Sequence, residues 1–108
     1  MNTRQIGLLS SVHVGVLLAL SLKPRHGYEL MKQVKTDSAA RLAPGPGILY
    51  ASLKQLERDN YIEEMPFEGS PRRRYYRLTK KGLNRLEIEL QYYRRILSLA
   101  TERHLETN

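Results

Sequence analysis

Residues 46–78 read PGILYASLKQLERDNYIEEMPFEGSPRRRYYRL, and this stretch decides the fold. Pro46 suits the first turn of a helix, where its missing donor would have no partner anyway. Leu49, Leu53 and Leu56 follow at i, i+4 and i+7, the spacing of one buried helical stripe, and Asn60 is a natural stop. A helix is therefore predicted over about residues 47–59. Residues 61–66 and 73–78 then read as two short strands, and Glu68-Gly69-Ser70-Pro71 between them is turn chemistry. A single amphipathic helix leads straight into a β-hairpin.

Outward from this stretch the chain is helical. A first helix is predicted over 4–21, ending before Pro24, which biases its predecessor away from helical backbone. A second is predicted to start near Arg25–Gly27 and run to about Lys35, with Tyr28, Leu30, Met31 and Val34 as its apolar positions. Residues 36–46 form a loop closed by the rigid string Ala43-Pro44-Gly45-Pro46-Gly47. After the hairpin, Thr79 is a reasonable N-cap for a last helix over about 80–104, which Gly82 weakens slightly. Three helices and a hairpin in this order make a winged helix-turn-helix. The expected fold is mainly α with a small β-hairpin. Residues 1–79 form the winged domain, and residues 80–108 a C-terminal dimerisation helix.

The chain has 108 residues, enough for one domain with a modest core that gains from a partner's added burial. Gln5 to Leu22 is uncharged, and its eighteen residues reach the lower edge of a membrane span. Gln5, Ser10, Ser11, His13 and Ser21 interrupt it, so a core helix lying between the domain and a partner subunit is preferred to a membrane or export segment. No membrane association is expected. Without cysteine there is no disulfide framework, and a cytoplasmic, nucleoid-associated location is expected.

Charge is sharply segregated. Residues 61–71 carry Glu63, Glu64 and Glu68 and no base. Residues 72–85 carry Arg72, Arg73, Arg74, Arg77, Lys80, Lys81 and Arg85 and no acid. The net charge is +7, so these seven bases equal the whole excess. A cluster of this kind points to a polyanionic partner, most simply double-stranded DNA.

The helical wheel sorts the residues that would meet it. With Leu49 at the centre of the buried stripe, Leu53 and Leu56 lie within about 40°. Gly47, Ala51, Lys54, Gln55 and Arg58 face away from the core, with Tyr50 at the flank. Lys54 and Arg58 can meet phosphates or guanine edges, and Gln55 can pair with adenine. Gly47 and Ala51 permit close approach by being small. In the hairpin, Arg72, Arg73 and Arg74 are the candidates for phosphate or minor-groove contact. Alternation places Tyr76 and Leu78 toward the core.

The last helix carries a heptad seam. Leu83, Leu86, Leu90, Tyr93 and Leu97 recur at spacings of three and four, and Ile88, Tyr92, Ile96 and Leu99 flank them. So wide an apolar surface exceeds one docking stripe and points to a homodimer through this helix, helped by the first. Tyr92 and Tyr93 could also line a pocket for a small aromatic effector, and packing explains them equally well.

Three stretches resemble the PadR-type transcriptional regulators, a group of winged-helix proteins. They are Pro24-Arg25-His26-Gly27-Tyr28-Glu29-Leu30, then Pro44-Gly45-Pro46-Gly47-Ile48-Leu49-Tyr50 running on to Leu53, Leu56 and Glu57, and Arg72-Arg73-Arg74-Tyr75-Tyr76-Arg77-Leu78-Thr79 with Gly82. The resemblance spans about residues 6–104. It implies a homodimer binding an inverted repeat in a promoter, usually as a repressor. Tyr50, the start of the third helix and the wing arginines would be at the DNA, and in some members phenolic acids or flat hydrophobic drugs act as effectors. The chain resembles the short subgroup with a single C-terminal helix. Ile48 and Ala51 depart from the residues common in the family at those positions, so an operator sequence does not transfer.

Catalysis is not expected. No paired acid and base, activated nucleophile, metal-ligand cluster or phosphate loop is present, and Gly45-Pro46-Gly47 lacks the Lys-Ser/Thr that a phosphate loop needs. No cofactor or metal is expected. The expected function is sequence-specific transcriptional regulation, most simply repression, and the alternative is a nonspecific or architectural DNA-binding protein.

Overall fold

A computed structural model describes residues 7–66 and 74–105. Ser10 sets the start of the first helix, α1 (Ser11–Leu20), because its hydroxyl accepts the His13 N–H at 3.2 Å. This shortens the helix expected over 4–21, since Gly7–Ser10 are non-helical. Val14, Val16, Leu17, Ala19 and Leu20 are buried, as expected of a helix apolar around most of its circumference. Among the described residues no helix is long and apolar enough to cross a membrane.

Arg25 and His26 form a two-residue strand, β1, that the sequence reading assigned to the second helix. His26 then caps that helix, α2 (Gly27–Asp37). Its Nδ1 accepts the Glu29 N–H, and the Glu29 carboxylate accepts the His26 N–H, a reciprocal capping box. Leu30 and Val34 point to the core. The helix ends with the Ala40 N–H on the Lys35 carbonyl and the Ala39 N–H on Thr36, a Schellman closure holding both alanines at positive φ.

The third helix, α3 (Pro46–Arg58), closes the same way. Asn60 takes φ 63°, and the Tyr61 and Asn60 N–H groups reach back to Leu56 and Glu57. The chain then enters β2 (Ile62–Met65) and returns as β3 (Tyr75–Leu78). The sheet order is β1-β3-β2, all antiparallel, with Ile62 opposite Leu78, Glu63 opposite Arg77 and Glu64 opposite Tyr76. Tyr76 is buried and Leu78 half-buried, so this face of β3 points inward as the alternation implies.

The last helix, α4 (Lys80–Glu102), is capped by Thr79, whose hydroxyl accepts the Gly82 N–H and donates to the Asn60 carbonyl at 2.6 Å. Gly82 is required there, because a Cβ would drive into the backbone carbonyl of Tyr61. One core gathers Leu17 and Leu20 of α1, Leu30 and Val34 of α2, Leu49, Leu53 and Leu56 of α3, Ile62, Tyr76 and Leu86. Each such side chain contributes about 1.5–3 kcal/mol by leaving water. Leu86 belongs to α4, so the first turns of that helix are built into the winged domain and not appended to it.

Candidate nucleic-acid interface

The site is the face of α3 that the leucines leave outside. Leu49, Leu53 and Leu56 fix the rotation of the helix. Ser52, also buried, satisfies its hydroxyl by donating to the Ile48 carbonyl at 2.9 Å. Gly47, Ile48, Tyr50, Ala51, Lys54, Gln55 and Arg58 are all exposed. Gly45 provides no side-chain cap, and around Gly45 and Gly47 there is open space. The first-turn amides of α3 are thus reachable donors at the positive end of the helix dipole.

Two of these residues are held from other elements. The Tyr50 phenol lies over the start of α2, where a Cβ on Gly27 would collide with it. Gly27 therefore reserves the space that Tyr50, itself 45% exposed, rests against. The Gln55 carboxamide accepts a hydrogen bond from His13 Nε2 at 2.7 Å. Neither contact has a sequence signature, because each joins residues far apart in the chain.

Charge on the hairpin differs from a simple basic strand. The register sets acidic β2 against basic β3: Arg77 pairs with Glu63 at 3.5 Å and Arg74 with Glu64 at 3.7 Å. Both pairs are exposed, where such contacts are worth about 0–1 kcal/mol. Arg74 is exposed, and Arg72 and Arg73 lie outside the described residues. Lys81 is turned back to the Asp59 carbonyl and the Tyr61 ring. By contrast, Lys54 and Arg58 take part in no ion pair among the described residues. Burial raises the Tyr76 phenol above its ordinary ionisation range, helped by the negative charges of Glu57 and Glu64.

The heptad seam divides along its length. Leu86 is only 3% exposed and faces the core of its own domain, and Leu90 is half-buried against it. Leu83, Tyr93 and Leu97 are exposed, Leu97 by 58%, and so are Ile88, Tyr92 and Ile96. A cavity of about 210 Å³ lies between α1 and α2, bounded by Val14, Leu18, Val34, Leu42 and, from α4, Tyr93. Its walls are mainly apolar, with Ser11, Asp37 and Ser38 among the lining residues. Tyr92 does not line it. Among the described residues no cluster of three side chains could hold a metal ion.

Comparison with known proteins agrees with this architecture. An uncharacterized 37.1 kDa protein in transposon TN4556 of Streptomyces fradiae is 39% identical over 74 residues, which are 68% of this chain and 20% of that protein. The transcriptional regulator YqjI of Escherichia coli is 32% identical over 72 residues, 67% of this chain and 34% of that regulator. The chain thus spans between a fifth and about a third of the length of these curated relatives. A crystal structure of a PadR family transcription regulator from Clostridium difficile superposes with TM-score 0.73 at 29% identity, covering 86% of this chain and 97% of that one. A PadR-like regulator from Bacillus cereus, 22% identical, shares the fold with TM-score 0.72, covering 89% of this chain and 93% of its own. The model of the transcriptional regulator PadR-like family matches residues 16–88, from within α1 to the middle of α4. That match takes in the recognition-type helix, the wing and the helix that roots them, and the chain belongs to the PadR-like family of transcriptional regulators, a family of regulators and not of enzymes.

Proposed function

We propose that this protein is a sequence-specific DNA-binding regulator that acts as a homodimer on an inverted repeat, most simply as a repressor. The observation that carries the reading is the exposed face of α3. Lys54 and Arg58 are free to meet phosphate or guanine, and Gln55 and Tyr50 are held by contacts from α1 and α2. A helix rigidly based on three buried leucines can enter a major groove, with the wing beside it on the backbone. Dimerisation is supported by the exposed apolar second half of α4, where Tyr92, Tyr93, Ile96 and Leu97 would otherwise stand in water.

Fluorescence anisotropy tests this against an architectural, sequence-blind role. The duplex from upstream of the protein's own gene is compared with a scrambled duplex at several salt concentrations. A regulator prefers the first by well over tenfold near physiological salt. An architectural protein binds both alike with the same steep salt dependence. Absence of binding to any duplex at low salt refutes the nucleic-acid reading.

A small aromatic effector belongs to the same proposal. The apolar cavity edged by Tyr93 supports it, since that tyrosine sits on the helix proposed to join the two copies. Release of bound DNA by simple phenolic acids, lost on Val14→Trp as the indole fills the cavity, is the expected result.

A further inference from the structure

His13 lies in the first turn of α1, three residues after the N-cap. Its backbone N–H donates to Ser10 Oγ at 3.2 Å, and its ring Nδ1 is 2.5 Å from the same oxygen. The opposite ring nitrogen, Nε2, is 2.7 Å from Gln55 Oε1 on α3. Gln55 Oε1 can only accept, so the Ser10 hydroxyl, which also accepts the His13 backbone N–H, gives its own proton to Nδ1. Nε2 then carries the ring proton and donates it to the Gln55 carbonyl. The rigid imidazole is a strut, fixed at one end by the cap of α1 and at the other by a side chain on the exposed face of α3.

We propose that His13 is a positioning residue for base recognition, pinning the Gln55 carboxamide in one sense. The inference rests on α3 being the recognition helix. A free glutamine can turn its amide over and offer either its carbonyl or its NH2 group to the same base edge, which weakens discrimination. Turning Gln55 over would set an NH2 group against the Nε2–H of His13, donor against donor, unless the ring changed tautomer and the Ser10–Nδ1 hydrogen bond reversed with it. The strut also settles the side chain before DNA arrives, which removes an ordering cost from binding.

The experiment selects binding sites from a randomised duplex library with wild type, His13→Phe, Gln55→Ala and the double variant. Melting temperatures are measured alongside. Phenylalanine keeps the ring and deletes the donor. Wild type is expected to show a preference of about tenfold or more at one position of each half-site. His13→Phe should reduce it to about threefold or less at that position alone, Gln55→Ala should abolish it there, and the double variant should match Gln55→Ala. Unchanged preferences in His13→Phe overturn the proposal. So does a general loss at positions that Gln55→Ala leaves untouched, which would mark His13 as merely structural. If Gln55→Ala changes no position, the proposal falls while sequence-specific binding stands. If wild type enriches no sequence at all, the recognition reading fails and takes the proposal with it.

Discussion

Replacing Glu89 tests how α4 is rooted in the winged domain. Its carboxylate is 1% exposed, accepts from Arg85 Nε at 3.1 Å, and accepts the Leu9 N–H at 3.0 Å. Arg85, whose side chain is 10% exposed, also reaches the Tyr61 hydroxyl at 3.3 Å and the Gly7 carbonyl. The pair therefore clamps the segment before α1 onto the side of α4. Glu89→Leu keeps the volume but removes the buried carboxylate to which both Arg85 Nε and the Leu9 N–H donate. Removing one member of a buried pair costs about 3–5 kcal/mol. The hydroxyl and carbonyl that Arg85 retains place the expected loss near the lower end, about 3 kcal/mol, a large share of the 5–15 kcal/mol typical of a domain. Urea unfolding followed by circular dichroism at one fixed protomer concentration measures it, since a dimer's midpoint moves with concentration. Glu63→Gln breaks the exposed pair with Arg77 and should cost under about 1 kcal/mol. The double variant Arg85→Met/Glu89→Leu should regain part of the loss, because both charges of the pair are then gone while the Leu9 N–H stays without its acceptor. A loss from Glu89→Leu no larger than from Glu63→Gln, or a double variant as weak as the single one, refutes the clamp.

Three further outcomes follow from particular contacts. Gly82→Ala gains up to about 1 kcal/mol of helix propensity but presses a methyl into the Tyr61 carbonyl, so a net loss of about 2 kcal/mol is expected in the same unfolding assay. Gly27→Ala meets the Tyr50 phenol, which can swing outward. DNA affinity should fall several-fold with a stability change under about 1 kcal/mol, and the substitution should have no effect on binding in a Tyr50→Ala background. The Tyr76 phenol, buried and faced by Glu57 and Glu64, ionises at higher pH folded than unfolded. Its contribution is fully present below pH 10 and lost as pH rises beyond, because the unfolded chain releases its proton first. Tyr76→Phe should flatten the fall in stability above pH 10 in a urea titration.

What was legible in the sequence was local. Leu49, Leu53 and Leu56 fix the buried stripe of α3 without reference to anything else, so its outer face could be read in advance. Asn60 and Thr79 mark ends of elements for the same reason, while the turn read at Glu68-Gly69-Ser70-Pro71 lies outside the described residues. β1 was missed because Arg25-His26 is too short to alternate, and its strand character comes from pairing with Tyr75 and Tyr76 some fifty residues on. The heptad seam was real as a periodicity, but a period says nothing of which surface it meets. Leu86 is buried in the core of its own domain, whereas Leu97 stands 58% exposed. Gly82 read as a defect and is a point of close approach. His13 belonged to no motif, since its two partners, Ser10 and Gln55, become neighbours only when α1 crosses α3.

The charge map changes most once the strands are paired. In the chain, an acidic run precedes a basic one, and the basic run equals the net charge. In the fold the two runs lie side by side in antiparallel register, so Glu63 and Glu64 partly cancel Arg77 and Arg74 at the wing stem. Among the described residues Lys54 and Arg58 have no such opposite number, and they stand on the helix whose rotation the core fixes. The wing stem is therefore suited to carry shape, and α3 to carry charge to a groove. The same helix shares a core with α4 through Leu86, and Gly82 and Glu89 of α4 are buried beside it. A second copy gripping the exposed half of α4 would fix both α3 helices at one separation. Over 23 residues α4 is a lever about 35 Å long. Half-sites one helical turn apart require about 34–36 Å between recognition helices. In the proposed dimer, a ligand or substitution that re-angled α4 against its partner would act on that separation, with no contact to DNA required.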